Sequence, residues 1–82
     1  MELNKNYTIL SLDNPQTGLT VDLERDGYVY RIIIYNCRKL PHRRLYTEEQ
    51  FVTLHPALLK MCAILEMIAN DATEEQIREV LI

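Results

Sequence analysis

The hydrophobic pattern of this chain changes period once, and that change limits the fold more than any other feature. From Tyr7 to Asn36 apolar and polar residues alternate with period two, as in β-strands, whereas from Thr47 to Ile82 they recur at helical spacing. The segment between them is the most basic part of the chain. We therefore predict one domain over residues 1–82, made of a β-meander (7–36), a basic hinge (37–46) and a helical half (47–82).

Turn-forming residues divide the sheet half into three strands. The strands are predicted from Tyr7 to Leu12, from Leu19 to Glu24 and from Tyr28 to Asn36, and the first two are separated by the turn-rich loop from Asp13 to Gly18. A short fourth edge strand from Arg43 to Tyr46 would extend the meander. The expected architecture is an antiparallel sheet.

The dipeptide Asp26-Gly27 predicts the register between the second and third strands. It suits a two-residue type I′ turn, in which both central residues need positive φ. Such a turn would place Leu23 opposite Tyr30 on one face and Asp22 opposite Arg31 on the other. Continued back through the first loop, the same face would gain Leu12, Leu10 and Thr8 beside Leu19, Val21 and Leu23.

The other face of this predicted sheet is more apolar than a solvated face requires. It would carry Tyr7, Ile9, Ser11, Thr20, Asp22, Glu24, Val29, Arg31, Ile33 and Tyr35. Either another segment covers this outer face or the face binds a partner.

The helical half contains the tetrapeptide Thr-Glu-Glu-Gln twice, at residues 47–50 and 73–76. Both copies have the capping-box form that marks a helix start, and Pro56 is suited to a first helical position. We predict helices from Glu48 to Leu54, from Pro56 to Asn70 and from Glu74 to Ile82, packed on one face of the sheet. The fold class is α+β.

Two apolar stripes run along the long predicted helix. The broad stripe faces the core and contains Leu58, Met61, Cys62, Ile64, Leu65, Ile68 and Ala69. The narrow stripe contains Leu59, Ala63 and Met67, one helical turn apart. The last helix, with Ile77, Val80 and Leu81, is expected to cover the narrow stripe. The alternative is a homodimer in which this stripe meets its mate.

No residue pattern points to catalysis or to a bound cofactor. Cys37, His42, His55 and Cys62 lack the close pairs of a zinc site, and Cys37 could form a dyad with His42 only if the hinge folded back. Both glycines are explained by turns, so no phosphate-binding loop is predicted. We expect a non-enzymatic protein without a metal, a cofactor or an identified small-molecule ligand.

The first residues and the cysteine content favour a cytoplasmic location. Residues 1–6 are polar and lack the apolar core of a signal peptide, and no segment is long and apolar enough for a membrane span. Small secreted domains usually contain several disulfides, whereas this chain has two cysteines, which we expect to be reduced.

Charge divides the molecule, although the net charge is only −3. Residues 1–46 contain seven Lys or Arg against five Asp or Glu, a balance of +2, and residues 47–82 contain two against seven, a balance of −5. The positive charge collects in the hinge. Part of it would be neutralised if Arg43 and Arg44 paired with Glu48 and Glu49, as Arg31 would be by Asp22.

These patterns predict a small regulatory or accessory module that binds a protein partner through the outer face and the hinge. The expected contact residues are Ile9, Arg31, Ile33, Tyr35, Arg38, Lys39, Arg43 and Arg44. One alternative is a nucleic-acid-binding protein that uses the same cations, although an overall pI near 5.3 is unusual for that class. Another is an inhibitor of a nucleic-acid-handling complex that acts through the acidic helical surface.

Overall fold

The computed structural model describes residues 6–38 and 43–81. It contains a four-stranded antiparallel sheet in the order β1-β2-β3-β4, followed by two helices. The elements are β1 (Tyr7–Asp13), β2 (Leu19–Asp26), β3 (Val29–Asn36), β4 (Arg43–Phe51), α1 (Leu54–Ala69) and α2 (Glu74–Leu81). The predicted α+β class, with helices on one face of the sheet, is confirmed.

The core lies between the middle of the sheet and α1. Alternate residues of β2 and β3 meet one stripe of α1, and both sets are buried: Leu19, Val21, Leu23, Ile32 and Ile34 on the strands, and Ala57, Met61, Ile64 and Ile68 on the helix. Burial of each large aliphatic side chain contributes roughly 1.5–3 kcal/mol. The sequence had placed Cys62 and Ala69 in this stripe, but both are exposed, because they lie on the edge of the helix away from the sheet.

The register between β2 and β3 differs from the predicted one by two residues. Leu23 lies opposite Ile32, and Glu24, not Asp22, lies opposite Arg31. The cause is the turn, whose two central residues are Gly27 and Tyr28. Gly27 has a φ of 64° and Tyr28 has no positive φ, which fits a type II′ turn with glycine first. Because the shift is even, the side chains of β2 and β3 keep their predicted faces. In β1 the predicted faces of Tyr7 and Thr8 are wrong, because Thr8 lies opposite Glu24 on the outer face and Tyr7 opposite Arg25 on the helix side.

A β-bulge in β1 overturns the predicted position of Ile9. Thr8 pairs with Glu24 and Leu10 pairs with Leu23, so Ile9 is the extra residue between two consecutive partners. An extra residue interrupts the alternation of side chains between the two faces. Ile9 therefore packs against the core on the helix side instead of lying on the outer face.

The predicted helix from Glu48 to Leu54 is wrong, because residues 43–51 form strand β4. Pairing with β3 places Tyr46 opposite Ile34 and Thr47 opposite Ile33. A capping box is a local signal, whereas six residues of this segment pair with β3, and the backbone hydrogen bonds of that ladder outweigh it. The short fourth strand predicted from Arg43 to Tyr46 is thus present and extends to Phe51.

The other two helices begin close to their predicted positions. α1 starts at Leu54, two residues before Pro56, and its N-cap residue Thr53 makes no side-chain capping bond. At α2 the predicted capping box is complete: the Gln76 amide donates to Thr73 Oγ1 at 3.2 Å, and the Thr73 amide donates to Gln76 Oε1 at 2.9 Å. The predicted last residue of this helix, Ile82, lies outside the described residues.

Candidate interaction surface

The outer face of the sheet, which no helix covers, offers little exposed apolar surface. Ile33 lies at its centre with Asp22 and Thr47 directly opposite, yet its exposed fraction is only 1%. Ile9 has moved to the helix side. Of the three outer-face residues predicted for contact on apolar grounds, only Tyr35 is partly exposed there.

Polar side chains on this face pair with one another. Arg31 binds Glu24 at 3.0 Å and Asp26 at 3.2 Å, and its side chain is only 18% exposed. Its predicted partner, Asp22, instead accepts a hydrogen bond from Ser11 at 2.6 Å. Arg31 therefore forms part of a cross-strand ion-pair network and is not an exposed cation.

Arg44 is exposed beside Tyr35 at the hinge end of the same face. The two residues are opposite each other in the β3–β4 ladder, and the guanidinium carbon lies 5.8 Å from the ring centroid. This distance is within the range of a cation–π interaction. The predicted ion pair between Arg44 and Glu48 does not form, because Glu48 lies opposite Ile32 on the helix side.

Glu48 takes part in a separate cluster under α1. Its carboxylate accepts a hydrogen bond from the Tyr46 hydroxyl and lies 3.7 Å from Lys60 Nζ. Burial, followed by the adjacent Glu48 carboxylate, raises the pKa of Tyr46 to about 12. The cluster joins β4 to the helix and keeps Glu48 on the face opposite to that of Arg44.

Arg38 is the second exposed cation at the hinge end of the sheet. It follows β3, and its Nη2 donates to the Pro15 carbonyl oxygen at 2.7 Å. Within the two described ranges, no carboxylate forms an ion pair with Arg38 or Arg44. We call Tyr35, Arg38 and Arg44 the hinge surface.

Two of the predicted contact residues, Lys39 and Arg43, are not assigned to this surface. Lys39 lies outside the described residues, as does His42 from the cysteine–histidine set. For Arg43 the backbone is described, and it opens β4 opposite Asn36.

The narrow stripe of α1 is largely uncovered. Leu59 is 62% exposed and Ala63 is exposed, whereas Met67 is partly buried against the core. α2 does not cover the stripe as expected, because it buries Ile77 in the core while Val80 remains 66% exposed. Leu59 and Ala63 thus remain accessible for self-association.

The described residues contain no cluster of three metal-ligating side chains. Cys37 and Cys62 are both exposed free thiols, and Cys37 Sγ lies 3.4 Å from Thr20 Oγ1. Across residues 6–38 and 43–81, neither helix has the length and apolar character needed to cross a membrane.

Two asparagines organise the sheet end that carries the hinge surface, and the sequence reading had assigned them no role. Asn14 is 8% exposed and Asn36 is 7% exposed. Asn36 donates to Glu74 Oε2 at 3.1 Å and accepts from the Arg38 amide at 3.0 Å. The one available signal was Asn14 next to Pro15, since asparagine before proline favours turn initiation.

Comparison of the chain with protein-family models, curated proteins and solved structures found no match.

Proposed function

We propose that this protein is a non-enzymatic interaction module whose hinge surface binds an acidic site on a partner protein. The observation that supports the proposal is the placement of Glu48 on the helix side. It leaves Arg44 exposed without an ion-pair partner among the described residues, and Arg38 is likewise exposed and has none there. Exposed cations of this kind attract an oppositely charged surface and accelerate the encounter with it.

The size of the hinge surface favours a compact acidic patch. Arg38 follows β3 and reaches Pro15 in the loop before β2, whereas Arg44 lies on β4, so the two cations flank β3 at the hinge end of the sheet. Tyr35, beside Arg44, adds an aromatic surface of the kind enriched in protein interfaces. A small group of carboxylates on a partner would suit such a surface.

A capture experiment tests the proposal. Wild-type protein, the double variant Arg38→Gln/Arg44→Gln and the double variant Lys60→Gln/Arg78→Gln would be used as baits in host extract. Both variants lose two positive charges, but only the first loses them from the hinge surface. We expect a partner that wild type and the Lys60/Arg78 control retain, that the Arg38/Arg44 variant loses, and that salt elutes.

Equal capture of every partner by all three baits would contradict the proposal. Mutation of Ile33 is not a useful probe of this surface. Because its side chain is 1% exposed, a polar replacement would unfold the sheet before it reported on binding.

Nucleic acid is the second candidate ligand, favoured by the cation–π pair of Arg44 and Tyr35. Against it stand Asp22 and Glu24, next along the same face, which would repel a phosphate chain that continued beyond Tyr35. Titration of single-stranded and duplex DNA at several salt concentrations, with Arg44→Glu for comparison, tests this candidate. It fails if wild type shows no salt-dependent affinity.

The acidic helical surface is a third proposal, with a different partner. Its carboxylates Glu66, Asp71, Glu75 and Glu79 are exposed. Capture of a strongly basic, nucleic-acid-handling protein by the Arg38/Arg44 variant as well as by wild type would support it.

Self-association through the α1 stripe would be compatible with each of these partners. Leu59 presents the large apolar side chain, and the small Ala63 one turn later permits close approach of a second helix. We expect Leu59→Ser to shift any dimer towards monomer in sedimentation equilibrium. Val80→Ser, equally exposed but on α2, is the control. A wild-type protein that is monomeric at all concentrations would contradict self-association.

The regulatory role and the cytoplasmic location are part of the same proposal. Two exposed free thiols suit a reducing compartment.

A further inference from the structure

Arg38 takes part in two structures at once, the hinge surface and the loop between β1 and β2. Gly18 has a φ of 78° and no side chain, and a Cβ at that position would lie 2.5 Å from Arg38 Cγ. The aliphatic part of Arg38 therefore lies directly on the Gly18 backbone, while its guanidinium donates to Pro15 O at 2.7 Å. The Cys37 amide adds a backbone bond to Gly18 O at 2.8 Å.

The other side of this loop is attached to the end of α1. Asn14 Nδ2 donates to Ile68 O at 2.7 Å and to Asp71 Oδ1 at 2.8 Å. Between the loop and the helix lies an open groove of about 450 Å³, lined by Leu12, Asp13, Asn14, Pro15, Gln16, Ala69 and Asp71. Pro15 thus both accepts a hydrogen bond from Arg38 and lines the groove.

We infer that Arg38 acts as a latch: its bond to Pro15 holds the loop between β1 and β2, and ligand binding at the hinge surface breaks that bond and loosens the loop. In the unbound protein the guanidinium holds the Pro15 carbonyl. A carboxylate of the acidic partner that takes the guanidinium edge now facing Pro15 forms two parallel bonds there, whereas the carbonyl accepts one. The partner therefore draws Arg38 away from Pro15, and the segment from Pro15 to Gly18 loosens at the edge of the groove.

The release is confined to one half of the loop. Asn14 keeps its bonds to α1, because none of them involves Arg38. The Gly18 amide, which donates to Asn14 O at 2.9 Å, and the Cys37 amide lie within the part that loses its support. These two amides are the reporters of the latch. The inference rests on the proposed function, since it requires an acidic ligand.

Amide hydrogen exchange measured by NMR tests the latch, with a hexaglutamate peptide as the probe. In Arg38→Ala without peptide, we expect exchange at Gly18 and Cys37 to rise about tenfold, because local opening there no longer breaks the contact with Pro15. Arg44→Ala should leave both amides unchanged. Peptide added to wild type should accelerate the same two amides, while the Ile33 amide in the central ladder serves as the reference for global unfolding.

The outcomes separate the latch from the proposed function. Unchanged exchange in Arg38→Ala overturns the latch, whether or not the peptide binds. Peptide binding, seen as shifts at Tyr35 and Arg44, without faster exchange in wild type overturns the coupling but leaves the proposed function intact. If the peptide binds neither wild type nor Arg44→Ala, binding of acidic ligands at the hinge surface fails, and partner-driven release fails with it.

Discussion

Asn14 shows how a single polar side chain can fix the relation between a loop and a helix. Its amide nitrogen donates to two groups at the end of α1, and its amide oxygen accepts from the Gln16 amide at 2.9 Å. A buried amide with all these bonds formed stabilises the fold, but removal of one side leaves polar groups without partners. The same residue therefore positions both the loop and the wall of the groove.

Replacement of Asn14 by alanine should lower the free energy of unfolding by about 1–3 kcal/mol, the cost of buried polar groups left without partners. Urea denaturation with an unchanged m-value would measure it. Gln16→Ala is the matched control, because Gln16 is exposed and contributes only its backbone amide to the network. Equal stability of wild type and Asn14→Ala would show that water replaces the side chain.

Tyr46 predicts a dependence of stability on pH. Its pKa rises from an ordinary 10.0 to about 12 in the folded protein. A raised folded-state pKa means that the contribution of Tyr46 is complete below pH 10 and is lost as the pH rises through 12. Wild type should therefore lose more stability over this range than Tyr46→Phe. In ultraviolet titration, the variant should lack the tyrosine ionisation step near pH 12.

At the scale of elements, the two threonines that precede the helices give a matched pair. Thr73 accepts a capping bond at the start of α2, whereas Thr53 makes none at the start of α1. Thr73→Ala should cost about 1 kcal/mol, and Thr53→Ala should cost less than about 0.5 kcal/mol. Thermal or urea denaturation of both variants checks the difference. Equal losses would mean that the capping bond adds nothing to stability.

Sequence periodicity predicted the sheet, the long helix and the last helix, because one buried face imposes a regular pattern on each. It misassigned residues 48–51, where a capping-box motif favours a helix locally but the unpaired edge of β3 provides a strand partner. It also misplaced Ile9, since a bulge leaves no mark in alternation. The faces of Arg44 and Glu48 depend on the formation of β4 and on a second bulge, at Leu45 between them. The sequence could therefore predict which residues form the hinge surface, but not the faces of the sheet on which their side chains lie.

In the molecule as a whole, two apolar side chains depart from the pattern of a simple sheet-and-helix fold, in which the open face of the sheet is exposed and large apolar residues of the helix are buried. Ile33 is buried on the face without helices, and Leu59 is exposed on the face of α1 away from the sheet. Ile33→Ala should lower the free energy of unfolding by about 2–5 kcal/mol, whereas Leu59→Ala should change it by less than about 0.5 kcal/mol. Chemical denaturation of the two variants measures this contrast. Similar losses at both positions would indicate that Leu59 is covered in solution by a second copy.

All the register shifts of the sheet place their extra residues on its two outermost strands. β1 has one at Ile9, β4 has one at Leu45 and another within residues 49–50, while the β2–β3 ladder is regular. A straight outer strand would present an even row of amides and carbonyls to any other extended chain, and a bulge breaks that row. These bulges therefore disfavour the addition of further copies strand by strand. A second copy is expected to contact the protein through side chains and not through an extended sheet.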